Sequence, residues 1–213
     1  MHFFGSSEQF IEEQNKRMIL RMECDRMRPE RITEWYHAVL ESQMKKGGIY
    51  IDATMGNGYD TLFLCEMAGD CGKVLAFDIQ DRAVEHTRKR LEEHGVDKRA
   101  RLILDSHTNM GRYLEKETAD VICFNFGYLP GGDHSLATKA DTSVEAIRAA
   151  LSLLKAGGIL CLCIYSGKDT GYEEKDAILG YLKELDDKQF IVIANQYFNR
   201  KNDPPMPVFV YKR

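Results

Sequence analysis

Between Ile49 and Leu185, short apolar runs alternate with helical patterns, and this alternation restricts the fold more than any other feature of the chain. Nearly continuous apolar strands separated by helices form a mostly parallel sheet with helices on both faces. The pattern predicts strands at 49–53, 73–78, 100–104, 119–126 and 159–165. Helices are expected at 59–68, 81–94, 139–155 and 172–185, with a short one around 109–115. Two last strands, near 190–198 and 208–212, are joined by a loop too short for a helical crossover, so they must be antiparallel. Upstream, Phe10, Ile11, Met18, Ile19 and Met22 make a helical pattern within residues 7–24. Pro29 then opens a helix running to Lys46, which Gly47 and Gly48 stop. The expected organisation is a helical extension, 1–28, followed by one α/β domain, 29–213.

Bulk properties fit a soluble globular protein of one domain. The chain has 213 residues, enough for a layered core around a central sheet. No apolar stretch is long enough to cross a bilayer. Charges run throughout residues 1–20, which lack the apolar centre of a signal peptide, so a cytoplasmic location is expected. None of the six cysteines forms a C-x-x-C pair, and Cys65, Cys123, Cys161 and Cys163 sit in apolar runs, so they read as small buried hydrophobes. No metal is expected. A net charge of −4 argues against non-specific binding of long nucleic acid, but leaves a structured RNA open.

The first strand runs through Asp52 into a turn with Gly56, Asn57 and Gly58, and a helix begins at once. Such a junction is where open α/β sheets hold nucleotide-like cofactors. The dinucleotide fingerprint needs a third glycine, and Thr61 stands in its place. Asp78 at the end of the second strand suits a ribose diol in either kind of cofactor. Asp52 separates them: a carboxylate there repels a pyrophosphate and attracts the ammonium of S-adenosylmethionine. Asn57, Asp60 and Thr61 make the rest of the loop polar and mildly acidic. Helix capping is the other role open to Asp52, although Asp60 and Thr61 are better placed for it. Asn125, Phe126, Gly127 and Tyr128 end the fourth strand, where reacting groups lie in these folds. An amide oxygen there can accept a hydrogen bond from a nucleophilic amine while an aromatic stacks on its ring. The other reading of Asn125 is a strand end that satisfies its own turn. The glycine-rich stretch from Leu129 to His134 can fold over a substrate.

Taken together, Asp52 to Leu64, Phe77 to Gln80, Ser106-His107, Phe124 to Asp133 and Asn199 to Pro205 resemble the bacterial rRNA methylase family of class I methyltransferases. The resemblance covers roughly residues 32–213. It implies a Rossmann-like, seven-stranded sheet ending in an antiparallel hairpin, and S-adenosylmethionine as cofactor. It further implies N-methylation of the 5-aminomethyl group of wobble (2-thio)uridine in the anticodon region of tRNA, and a homodimer. Carried over by residue, it puts the methionine tail on Asp52, Gly56, Asn57 and Gly58, the ribose on Asp78, and the adenine near Ile79, Gln80, Ser106 and His107. Thr54, Asp60, Thr61, Asn125 and Gly127 complete the cofactor-facing set. Asn125 and Tyr128 face the methyl group and the amine, and Tyr128, Pro130, Gly131, Gly132, Asp133 and Lys168 face substrate. Lys168 departs from the family pattern, which has a histidine there; a lysine donates but cannot accept. His107 can stack on adenine or cap the short helix after it. Other readings are methylation of rRNA or of a small molecule, a nicotinamide-dependent dehydrogenase, and a non-catalytic RNA-binding protein.

Overall fold

The computed structural model describes residues 32–127, 140–166, 171–201 and 203–213. The chain divides into two compact units, Met1–Gln43 and Met44–Arg213. In the first, helix α1 spans Ile32–Glu41 and buries Tyr36 and Leu40. It is shorter than the expected run to Lys46: Gln43 N donates to Leu40 O at 2.9 Å and Ser42 Oγ to Val39 O at 2.7 Å, closing the last turn.

The second unit is built on strands β1 (Ile49–Asp52), β2 (Lys73–Asp78), β3 (Ala100–Leu104), β4 (Ala119–Phe126), β5 (Leu154–Ile164), β6 (Phe190–Ala194) and β7 (Met206–Lys212). They form one sheet in the order β3-β2-β1-β4-β5-β7-β6. Strand β7 is antiparallel to both its neighbours, β5 and β6, and the short connection requires this of the β6–β7 pair. Helices α2 (Tyr59–Ala68), α3 (Asp81–Glu93), α4 (Ala140–Leu153) and α5 (Tyr172–Lys183) fill the connections. Among the described residues, no helix is long and apolar enough to cross a membrane.

Alternation along the strands assigns the two faces. Ile51, Phe77, Ile122, Phe124, Phe126, Leu160 and Leu162 belong to the main apolar cluster, shared with Ile147 and Ala150 of α4 and Ile178 of α5. Phe124 and Phe126 stack with ring centroids 5.0 Å apart. The opposite face carries Asp52, Ala76, Cys123 and Asn125; α2 packs on its β1 and β2 part and α3 on β2 and β3. Cys65, Cys123, Cys161 and Cys163 are buried free thiols, as expected of small hydrophobes. The base of the sheet is tied by Asp120, which accepts from Ile49 N at 2.9 Å and pairs with Lys155.

Boundaries also shift elsewhere. The strand expected to start at Ile159 begins at Leu154, and the β4–β5 register slips between Ala119 and Val121 to absorb the Gly157-Gly158 pair. The strand expected to reach Phe198 ends at Ala194, after which only Asn195 N continues the ladder, to Pro207 O. The short helix after β3 is a 3-10 segment, His107–Arg112. The loop proposed to fold over substrate, with Tyr128 and His134, lies outside the described residues, as do Lys168 and the extension 1–28.

Candidate active site

Strand β1 is flanked by β2 on one side and β4 on the other, and the chain leaves β1 at this point of reversal. Beyond Asp52 the backbone divides its bonds between the two neighbours: Ala53 N donates to Cys123 O of β4, and Met55 N to Phe77 O of β2, both at 2.9 Å. The crevice that opens there is the usual ligand position in such sheets. Thr54 extends the β4 edge through its side chain, whose Oγ1 accepts from Asn125 N at 2.7 Å.

Gly56 and Gly58 both adopt positive φ, +50° and +78°. At Gly58 the need for glycine is also steric. A Cβ there would stand 2.7 Å from Thr87 Oγ1 and 2.9 Å from Thr87 Cα, so helix α3 could not approach the turn. Thr87 Oγ1 in turn donates to Gly56 O at 3.2 Å. Gly58 therefore does for α3 what the third glycine of a dinucleotide fingerprint does for its own helix. Asn57 is held from the same side: its carbonyl accepts from Arg90 Nε at 2.8 Å, and its Oδ1 meets His86 Nδ1 at 3.3 Å. The Arg90 guanidinium lies 3.8 Å over the exposed Tyr59 ring.

Three carboxylates gather around this turn. Asp52 is fully buried, and accepts from Thr54 N at 3.1 Å and from Thr61 Oγ1 at 2.6 Å. Burial, followed by the charge of Asp60, pushes its pKa up to about 7 against those two hydrogen bonds. Asp60 is 6% exposed, and its Oδ2 accepts from Asn125 Nδ2 at 2.7 Å. Neither Asp60 nor Thr61 caps α2, as the sequence suggested. The N-cap position is Gly58, without a side-chain bond, because both side chains turn inward to Asn125 and Asp52.

Asp78, at the tip of β2, spans the turn: Oδ2 accepts from Gly56 N and Oδ1 from Gln80 N, each at 3.0 Å. Burial raises its pKa, opposed by those amides. It remains half-buried, and the next residue, Ile79, is 55% exposed. At the tip of β3, Ser106 caps the 3-10 segment by accepting from Thr108 N at 3.2 Å, so His107 is not the cap. The His107 ring instead meets the Ala53 carbonyl and lies edge-on to Phe124, 5.8 Å between centroids; burial holds its pKa below the usual value.

Two residues of this neighbourhood escaped the sequence reading. Asp105 accepts from Ser106 N, Asn109 Nδ2 and Tyr113 Oη, each at 2.7 Å, and folds the segment that carries Ser106 and His107. Its signal was an acid at a strand end, beside residues already singled out. Tyr165 follows β5, with its amide donating to Phe126 O at 3.0 Å. It is 37% exposed on the Asn125 side of the sheet, and the Asp60 charge contributes to the rise of its pKa, after burial and Cys163. A Cβ on Gly127 would stand 3.2 Å from Tyr165 Cβ, so glycine there leaves this ring room. Among the described residues, no group of three or more His, Cys, Asp or Glu could hold a metal ion.

This donor set fits S-adenosylmethionine better than a dinucleotide. Carboxylates crowd the turn where a pyrophosphate would need amides and cations, and they favour an ammonium and a sulfonium. Asp78 offers acceptors for ribose hydroxyls, and Ile79 an apolar face for a purine.

The comparisons with known proteins agree. Residues 74–211 match the family described as Putative rRNA methylase. The chloroplastic tRNA (mnm(5)s(2)U34)-methyltransferase of Arabidopsis thaliana is 36% identical over 193 residues, spanning 86% of this chain and 70% of its own. A crystal structure described as a putative rRNA-methylase from Clostridium thermocellum superposes with a TM-score of 0.81 at 42% identity, covering 84% of this chain and 95% of that one. A putative methyltransferase from Streptococcus mutans, solved in complex with SAH, gives 0.78 at 40% identity, over 86% and 99%. The chain belongs to the rRNA methylase family and is a Rossmann-like, S-adenosylmethionine-dependent methyltransferase.

Proposed function

We propose that this methyltransferase acts on RNA, and that its substrate is the 5-aminomethyl nitrogen of the wobble uridine, with or without 2-thiolation, in the anticodon region of tRNA. The observation that carries the reading is the likeness to the Arabidopsis tRNA (mnm(5)s(2)U34)-methyltransferase over 86% of the chain. The site supports it, because Asn125 presents an amide at the crevice with its nitrogen already committed to Asp60. The amide oxygen is then the end left to accept a hydrogen from a substrate amine.

The cofactor supplies a methyl group on a sulfonium and leaves as S-adenosylhomocysteine. The protein's part is positioning, which dominates when a neutral amine is the nucleophile. Asn125 Oδ1 accepts one amine hydrogen and turns the nitrogen lone pair toward the methyl. Tyr165 offers an exposed ring beside that point for the pyrimidine. Tyr128, Pro130, Gly131, Gly132, Asp133 and Lys168 belong to the same proposal as substrate-side residues, and Asp52, Asp78, Ile79, Gln80, Ser106 and His107 as cofactor-side residues. A cytoplasmic location and a homodimer also belong to it, and sedimentation of the purified chain checks the latter. Mass spectrometry of tRNA nucleosides from a strain lacking the gene tests the substrate. Accumulated 5-aminomethyl-(2-thio)uridine is the expected result; an unchanged tRNA profile with a methyl missing from rRNA would transfer the activity to the ribosome.

A further inference from the structure

The Asn125 amide is nearly symmetric in shape, yet its two ends do opposite things. Oδ1 toward the amine accepts its hydrogen and leaves the lone pair free; Nδ2 there would donate into that lone pair and block it. Something must decide between them. Asn125 Nδ2 stands 2.7 Å from Asp60 Oδ2, and an ionised carboxylate only accepts. Asp60 lies in the first turn of α2, 65 residues away in sequence, and is 6% exposed, which shields its end of the contact from solvent. The Asn125 backbone is held separately by Thr54 Oγ1 at 2.7 Å, so rotation of the amide is the freedom left to control.

We infer that Asp60 is a positioning residue for methyl transfer: by accepting from Asn125 Nδ2, it fixes the amide oxygen toward the substrate nitrogen. A charged acceptor also polarises the amide, which makes Oδ1 the stronger acceptor. The charge of Asp60 is felt by its neighbours, since it contributes to the raised pKa of Asp52, Cys123 and Tyr165. The inference rests on the reading of Asn125 as the amine's acceptor.

The test uses the full-length protein with unmodified and variant site residues, tRNA carrying 5-aminomethyluridine, and S-adenosylhomocysteine as binding probe. Asp60→Ala should lower kcat about tenfold or more, the size of a lost charge-assisted hydrogen bond, while the probe's Kd stays within about threefold. A Kd weakened as much as kcat would make Asp60 a cofactor contact and overturn the inference. The more searching arm exchanges the pair. Asn125→Asp sets two carboxylates at hydrogen-bond distance, which share a proton at low pH and repel once both ionise, so activity should fall steeply as the pH is raised to 8 and beyond. Asp60→Asn combined with Asn125→Asp restores a donor facing an acceptor, and either oxygen of the new carboxylate then serves the amine. The double variant should recover kcat at pH 8 to within about tenfold of the parent. A double variant that binds the probe but is as inactive as Asn125→Asp refutes the inference. Asn125→Ala separates the two levels: if it retains full activity, the Asn125 reading fails; if it is inactive while Asp60→Ala is not, only the role of Asp60 fails.

Discussion

Asp52 should make cofactor affinity depend on pH. Its carboxyl is sealed from solvent, and burial together with Asp60 raises its pKa to about 7. A cationic cofactor tail favours the ionised form, so binding must first remove a proton when the pH is below that value. With a pKa of about 7, the carboxyl is about 90% protonated at pH 6 and about 10% at pH 8, which makes affinity about tenfold weaker at pH 6. Calorimetry with S-adenosylhomocysteine, in two buffers of different ionisation enthalpy, should read close to one proton released at pH 6 and few at pH 8. Asp52→Asn keeps an acceptor for Thr54 N and a partner for the Thr61 hydroxyl but has no charge to lose, so its affinity should be weak and flat with pH. Stability moves the opposite way. The folded-state pKa lies above the ordinary 3.8, so the folded protein holds this proton while the unfolded chain has lost it. The contribution is complete below about pH 4 and is lost as pH rises through about 7, so cofactor-free Asp52→Asn should melt higher than the parent at pH 8. An affinity unchanged between pH 6 and pH 8, with no proton released, would refute the reasoning.

Three further outcomes are expected. Asp78→Ala removes the acceptors assigned to the ribose and loosens Gly56, and should weaken S-adenosylmethionine binding by about tenfold or more in calorimetry. Gly58→Ala drives a methyl into Thr87 at a positive φ, so thermal melting should show a loss of about 1–3 kcal/mol, with cofactor affinity falling alongside. Tyr165→Ala should raise KM for tRNA several-fold and leave S-adenosylhomocysteine binding alone, with Tyr165→Phe near normal, because the ring rather than the hydroxyl does the stacking.

The parallel sheet, its reversal at β7 and the turn after β1 were legible because each leaves a local trace: apolar runs, glycines at a strand end, a short final connection. Asp52, Asp78 and Asn125 could be singled out for the same reason, as polar residues where apolar strands stop. What could not be read is who holds whom. The Asp60–Asn125 contact joins residues 65 apart with no periodic relation between them. Gly58 looked like a cofactor glycine, and its other duty, admitting α3, appears only once Thr87 is packed against it. His107 read as an adenine contact or a helix cap, and its turn toward the Ala53 carbonyl appears only in the folded arrangement. Helix α1 stops before the Gly47-Gly48 signal because side-chain and 3-10 bonds at Ser42 and Gln43 close it first. Such pairings are properties of the folded arrangement, so pattern and propensity do not reach them.

Transfer of labelled methyl from S-adenosylmethionine to purified tRNA bearing 5-aminomethyluridine, followed nucleoside by nucleoside, is the most direct trial of the central claim. The label should appear as 5-methylaminomethyluridine with the parent protein and vanish with Asn125→Ala. Label on a ribose or a ring carbon, or no label in tRNA from protein that binds the cofactor, would contradict it.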